Sequence, residues 1–152
     1  MQDSANNPEL SEEVPYRIPL SDVLAFVRWK TDSPEATEDD DLFADLNCTG
    51  KDFTALVESF SMRFGVDTEN YKWYFHTNEE DHSIGAMLYK PPHERVRRIP
   101  VTAVTLWHIA NAGYWNIDYP EHEIPSSRVD FLINILLFIA GALLLAWIAR
   151  KW

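Results

Sequence analysis

The chain has 152 residues, 46% hydrophobic and 24% charged, and its 13 basic against 24 acidic side chains leave a net charge of −11. That length allows one modest core with an appendage but not two full domains, and the acidity argues against nucleic acid as a partner. A single cysteine, Cys48, rules out an internal disulfide and a cysteine-rich zinc site, and it fits a reducing compartment.

Residues 1–15 are polar and proline-bounded, and are expected to be disordered. The first helix is predicted in SDVLAFVRWK, where Leu20, Val23, Leu24 and Val27 recur at helical spacing and Ser21 is placed to cap. Pro34 blocks its continuation, so TDSPEATEDDD reads as a long acidic loop. The run EATEDDDLFAD, Glu35 to Asp45, is read as a solvated loop or as a docking surface for a protein with a basic face.

The second helix carries Phe53, Leu56, Val57, Phe60 and Phe64 on one face, with Thr49 and Asp52 at capping-box spacing and Gly65 as its stop. Tyr71, Trp73, Tyr74 and Phe75 predict a short third helix or a turn over the core. Residues 76–99 read as a polar insertion in which IGAMLY is assignable to neither helix nor strand, followed by PPHERVRR, whose prolines forbid a continuous helix. A last soluble helix is predicted after Thr102, with Val101 and Leu106 at hydrophobic-staple spacing and Gly113 as its stop. Residues 117–128 are expected to link this domain, residues 16–116, to a C-terminal apolar segment.

Val129 to Ala149 is an almost unbroken apolar run, long enough as a helix to cross a bilayer. A buried core helix is the competing reading, but a small fold has no site that surrounds such a run on all sides. Trp147, Arg150, Lys151 and Trp152 make an interfacial anchor at one end, and Tyr114, Trp115 and Tyr119 precede the other. The acidic start lacks an apolar signal region, so a tail-anchored protein with residues 150–152 as its tail is expected. Basic residues near the span favour a cytoplasmic C-terminus, but carrying a whole domain across is harder than carrying a three-residue tail, so a cytoplasmic N-terminal domain is preferred. Asn134, with Ala142 and Ala146 at small-xxx-small spacing, makes association with another membrane helix feasible.

The order of elements resembles the acyl carrier protein fold, and more closely a bacterial family of carrier-like proteins, DUF1493. The residues that carry the likeness are Asp45 and Leu46, Phe60, Phe64 and Val66, Tyr74 and Phe75, Ile99 to Thr102, Leu106, and Ala112 to Trp115, and it covers about residues 18–116. The resemblance implies an all-α, acyl-carrier-like small helical bundle plus one C-terminal transmembrane helix, in the bacterial inner membrane. Carrier proteins attach a phosphopantetheine arm to the serine of an Asp-Ser-Leu motif. Aligning Asp45, Leu46 and Phe64 without a gap sets Thr49, Gly50 and Lys51 on that motif. Glycine offers no oxygen for the phosphodiester, so no cofactor is expected there. Thr49 and Cys48 flank the position, and are read as a helix cap and a packing residue. Carriers also present acidic side chains along the second helix. Here residues 49–64 hold Lys51 and Arg63 against Asp52 and Glu58, so acidic docking shifts toward Asp39, Asp40, Asp41 and Asp45, with Asp52 and Glu58 beside them.

His76, Glu79, Glu80, Asp81 and His82 are possible metal ligands without the helical spacing of a metal motif, and are read as a solvated loop. His93, His108 and His122 are given surface positions, and Arg95 to Arg98 a membrane-facing, partner-facing or solvated role. No hydrolase, phosphate-loop or dinucleotide signature is present, so no enzyme is expected. Three functions stay open: a membrane-tethered interaction or regulatory module, a working acyl carrier at the membrane, and a small subunit of a membrane complex.

Overall fold

A computed structural model describes residues 17–79, 84, 88–124 and 129–151. The expectations for residues 1–15 and for Glu80, Asp81, His82 and Trp152 lie outside the described residues. The architecture is all-helical, with no strand among the described residues: α1 (Leu20–Lys30), α2 (Gly50–Phe64), two short 3-10 turns at Trp73–Phe75 and Pro92–Glu94, α3 (Ala103–Ala112) and α4 (Val129–Lys151).

α1 begins one residue before the predicted cap. Pro19 is its N-cap, without a side-chain hydrogen bond, and Ser21 stands exposed in the first turn. Proline at the boundary has no N–H to satisfy and its fixed φ suits the entry, so no hydroxyl cap is required. The buried stripe is Val23, Phe26 and Val27, with Leu20 and Leu24 at its margin. Phe26 meets Phe60 and Phe64 of α2 at ring-centroid distances of 6.0 and 5.6 Å. α2 buries Phe53, Leu56, Val57 and Phe60 as its periodicity predicts, and Gly65 ends it in the left-handed region at φ 68°. α3 matches prediction at both ends: Thr102 accepts a hydrogen bond from the Thr105 N–H, and Gly113 closes the helix at φ 80°. Each large side chain fully removed from water in this core contributes roughly 1.5–3 kcal/mol.

Backbone hydrogen bonds join the helices. The Asp67 N–H donates to the Gly113 carbonyl and the Trp115 N–H to the Asp67 carbonyl, which ties the end of α2 to the end of α3. At the opposite side Asn111 and Trp107 of α3 hold the Ile18 backbone at the start of α1, with the Trp107 indole N–H 2.8 Å from the Ile18 carbonyl.

Three loops are more ordered than their composition suggests. In the acidic loop Ala36 and Leu42 are buried, Arg28 donates to the Ala36 carbonyl at 2.8 Å, and the Val104 N–H reaches the Glu38 carbonyl. Trp73–Phe75 forms a 3-10 turn, which settles the choice between helix and turn, and Ile84 and Leu88 within IGAMLY are helical. Residues 117–122 are packed against the bundle: the Tyr119 ring lies 4.8 Å from Phe75, and the Tyr74 hydroxyl is 2.9 Å from His122 Nε2.

α4 contains a 21-residue candidate membrane span, Phe131–Lys151, with mean hydropathy 2.6 and none of it buried against the rest of the chain. The core-helix reading fails on that exposure. Lys151 Nζ sits 4.4 Å over the Trp147 ring, a cation–π pair at the end of the helix beside Arg150.

Candidate docking face at the start of the second helix

Position 50 is built by distant residues. Gly50 has φ 52°, a left-handed conformation in which any side chain adds strain. Thr49 occupies the N-cap with extended backbone, yet its hydroxyl makes no capping bond, so the expected Thr49–Asp52 capping box does not form. The capping oxygen comes from 27 residues away, where Thr77 Oγ1 accepts the Gly50 N–H at 2.7 Å. The sharp left-handed turn is what makes this possible, because it aims the first helical N–H at the loop rather than along the helix. Replacing Thr77 by alanine should cost about 1–2 kcal/mol, the usual value of a lost helix cap. A urea titration checks this, with Thr77→Ser expected to keep most of the stability.

Thr77 is fixed because its neighbour is a core residue. The reading of His76 as part of a solvated loop is overturned: it is 1% exposed and its ring stacks with those of Phe53 and Tyr71, with interplanar angles of 2° and 9°. Nδ1–H donates to the Ile99 carbonyl and Nε2 accepts from the Tyr119 hydroxyl, both at 2.9 Å. The Tyr119 oxygen accepts in turn from the Trp115 indole N–H at 2.7 Å and the Lys72 N–H at 3.2 Å. Carbonyl and amide partners leave one consistent proton assignment, with the imidazole neutral and protonated on Nδ1. Burial depresses its pKa to about 4, with the Arg98 cation adding to that and the Ile99 hydrogen bond opposing it. Among the described residues no group of three or more His, Cys, Asp or Glu is placed to hold a metal.

The residues flanking Gly50 differ in accessibility. Cys48 is 6% exposed, and its thiol is pushed up to about 11 by burial and by the Asp52 carboxylate against a weaker opposing pull from Lys30. It is a protonated packing group at neutral pH, and an unreactive one. Lys51, Asp52 and Glu58 are exposed on α2.

The predicted acidic residues divide by role. Asp39 is exposed, and Asp40 accepts the Thr37 N–H at 2.7 Å, which holds its carboxyl below the ordinary value. Asp45 is exposed and its Oδ2 accepts the Asp41 N–H. Asp41 does not belong with them. It is 8% exposed, its Oδ2 lies 2.6 Å from Arg98 Nη1, and its Oδ1 accepts the Phe43 N–H. Arg98 also covers the Phe43 ring at 4.9 Å, and Arg95 covers Tyr89 while donating to the Lys90 carbonyl. Two arginines of the basic patch are therefore engaged within the domain.

Sequence reasoning missed Trp73, Thr77 and Asn78. They stand opposite Lys51, Thr54 and Glu58 across a groove of about 420 Å³ that opens beside Gly50, and Phe131 of α4 lines the same groove. Nothing in the local sequence around residue 50 points to residues 73–79, since the pairing arises only when the 3-10 turn packs under His76.

The fold and its groove define a small all-α domain joined to an apolar helix of membrane-spanning length. A scan against protein families matches residues 20–118 to DUF1493, described as a protein of unknown function. The chain belongs to that family. No match was found among curated proteins or among solved structures.

Proposed function

We propose that this chain is a membrane-tethered, acyl-carrier-like domain that acts as a non-enzymatic interaction or regulatory module. The observation that carries the reading is position 50: the residue aligned with the carrier's attachment serine is a glycine in a left-handed turn whose N–H is held by Thr77. Glycine at that position supplies no nucleophile of its own at the start of the helix. The flanking Cys48 thiol is buried and protonated, and so offers no substitute. Lys51, Asp52 and Glu58 on α2, with Asp39 and Asp45 in and after the acidic loop and the partly exposed Asp40 beside them, are the charges that a protein partner would meet.

The exposed α4 supports the tether. Residues 117–122 are packed on the bundle, so only the seven peptide units from His122 to Val129 intervene, a reach of at most about 25 Å. Such a short connection confines the domain to the bilayer surface and raises its effective concentration toward a membrane partner. An inner-membrane location with the domain in the cytoplasm is part of this proposal.

Intact mass after incubation with a phosphopantetheinyl transferase and coenzyme A tests the reading. The natural protein is expected to keep its mass. An added arm on it, abolished by Thr49→Ala or Cys48→Ala, would replace the module with a working carrier.

A further inference from the structure

We propose that the groove beside Gly50 binds the headgroup of a phospholipid bearing both a phosphate and a primary ammonium, drawn from the bilayer that holds α4. The inference rests on the membrane-tethered part of the reading above and is independent of whether residue 50 is modified.

The groove is continuous with the span. Phe131 lies in the first turn of α4, is the first residue of the candidate membrane segment, and forms part of the groove wall. An occupant entering along that wall comes from the bilayer surface, with its acyl chains toward α4. The volume of about 420 Å³ falls in the range of small-ligand clefts and exceeds what a bound ion needs.

The polar lining selects the headgroup. Lys51 and Glu58 are seven residues apart on one face of α2, roughly 10 Å along the axis. Among the described residues neither has an ion-pair partner. A purely anionic headgroup would be drawn to Lys51 but would meet the Glu58 carboxylate. A headgroup carrying both charges places its phosphate on Lys51 and its ammonium toward Glu58, where the face of Trp73 adds cation–π attraction. Asn78 also favours a guest that carries donors: it lines the groove, and its Oδ1 is a buried acceptor with no hydrogen-bond partner among the described residues. A buried acceptor left unpaired is unfavourable, and rotation of the amide would offer it to an ammonium N–H. A primary ammonium has three N–H donors for Glu58 and Asn78, whereas a trimethylated one has none.

The test uses the full chain, reconstituted in nanodiscs of equal parts phosphatidylethanolamine, phosphatidylcholine and phosphatidylglycerol, with a photo-crosslinking amino acid at the exposed Ala55 of the groove wall. Mass spectrometry identifies the lipid joined to the protein. The expected result is preferential capture of phosphatidylethanolamine, reduced roughly tenfold by Lys51→Ala through the loss of one charge-assisted contact. Excess soluble glycerophosphoethanolamine should compete with capture, since it carries the same headgroup without chains. Capture in proportion to abundance, or capture unchanged by Lys51→Ala, overturns the site. Preference for phosphatidylglycerol also overturns it, because that lipid has no ammonium. Vesicle flotation separates the two proposals: a chain that floats but shows no preference refutes the headgroup site alone, and one that does not float removes tether and site together.

Discussion

Replacing His76 by alanine is expected to destabilise the folded domain by about 3–5 kcal/mol, as much as truncating a buried aromatic ring. The substitution removes a ring that is packed between Phe53 and Tyr71 and edge-on to Trp115. It also leaves the Ile99 carbonyl and the Tyr119 hydroxyl without their partner. Urea titration of the full chain in detergent, followed by tryptophan fluorescence, measures it, and a loss under about 1 kcal/mol would contradict the packing described. The same residue predicts a pH dependence. Its folded-state pKa of about 4 lies below the ordinary 6.5, so between those values the unfolded chain binds the extra proton. Stability is then complete above about pH 6.5 and falls as the pH drops toward 4, by at most about 3.5 kcal/mol at roughly 1.4 kcal/mol per pH unit. His76→Gln should flatten that part of the profile. An equal slope in the variant would assign the acid sensitivity elsewhere.

Asp41→Lys is the second large effect. Asp41 is 8% exposed and faces the partly exposed Arg98 at 2.6 Å, so the substitution sets a cation beside a cation and frees the Phe43 N–H as well. Arg98 is 36% exposed and solvent screens its charge, so the cost comes mainly from burying the lysine at position 41 and losing the Phe43 N–H partner, about 1–3 kcal/mol. Asp39→Lys, two residues earlier and exposed, should leave the urea midpoint almost unchanged. Its effect belongs to partner capture, where an exposed charge acts on encounter more than on stability. Similar midpoints for the two variants would return Asp41 to the exposed acidic set.

Both His76 and Asp41 are residues that composition alone treats as surface. Neighbours in sequence gave no warning: Asp41 closes a run of four acids, and His76 precedes Thr-Asn-Glu-Glu-Asp. Their burial depends on Arg98, Ile99 and Tyr119, at least 23 residues away in each case. A local window cannot contain such partners.

Local sequence sets what repeats at short range. The apolar period of α2, the glycine stops at Gly65 and Gly113, the Thr102 cap, and the unbroken run of α4 each arise from contacts within about one helical turn or from hydropathy alone. Tertiary structure decided where the polar groups go. The N–H of the left-handed Gly50 at the start of α2 is satisfied by Thr77, from a loop that packing brings near. His76 became a core residue because two aromatic faces, a carbonyl and a hydroxyl converge on it and satisfy both ring nitrogens, offsetting the penalty of burying them. The groove beside Gly50 has the same origin, since its walls come from α2, the segment after the 3-10 turn, and α4, and only the folded chain sets those three side by side.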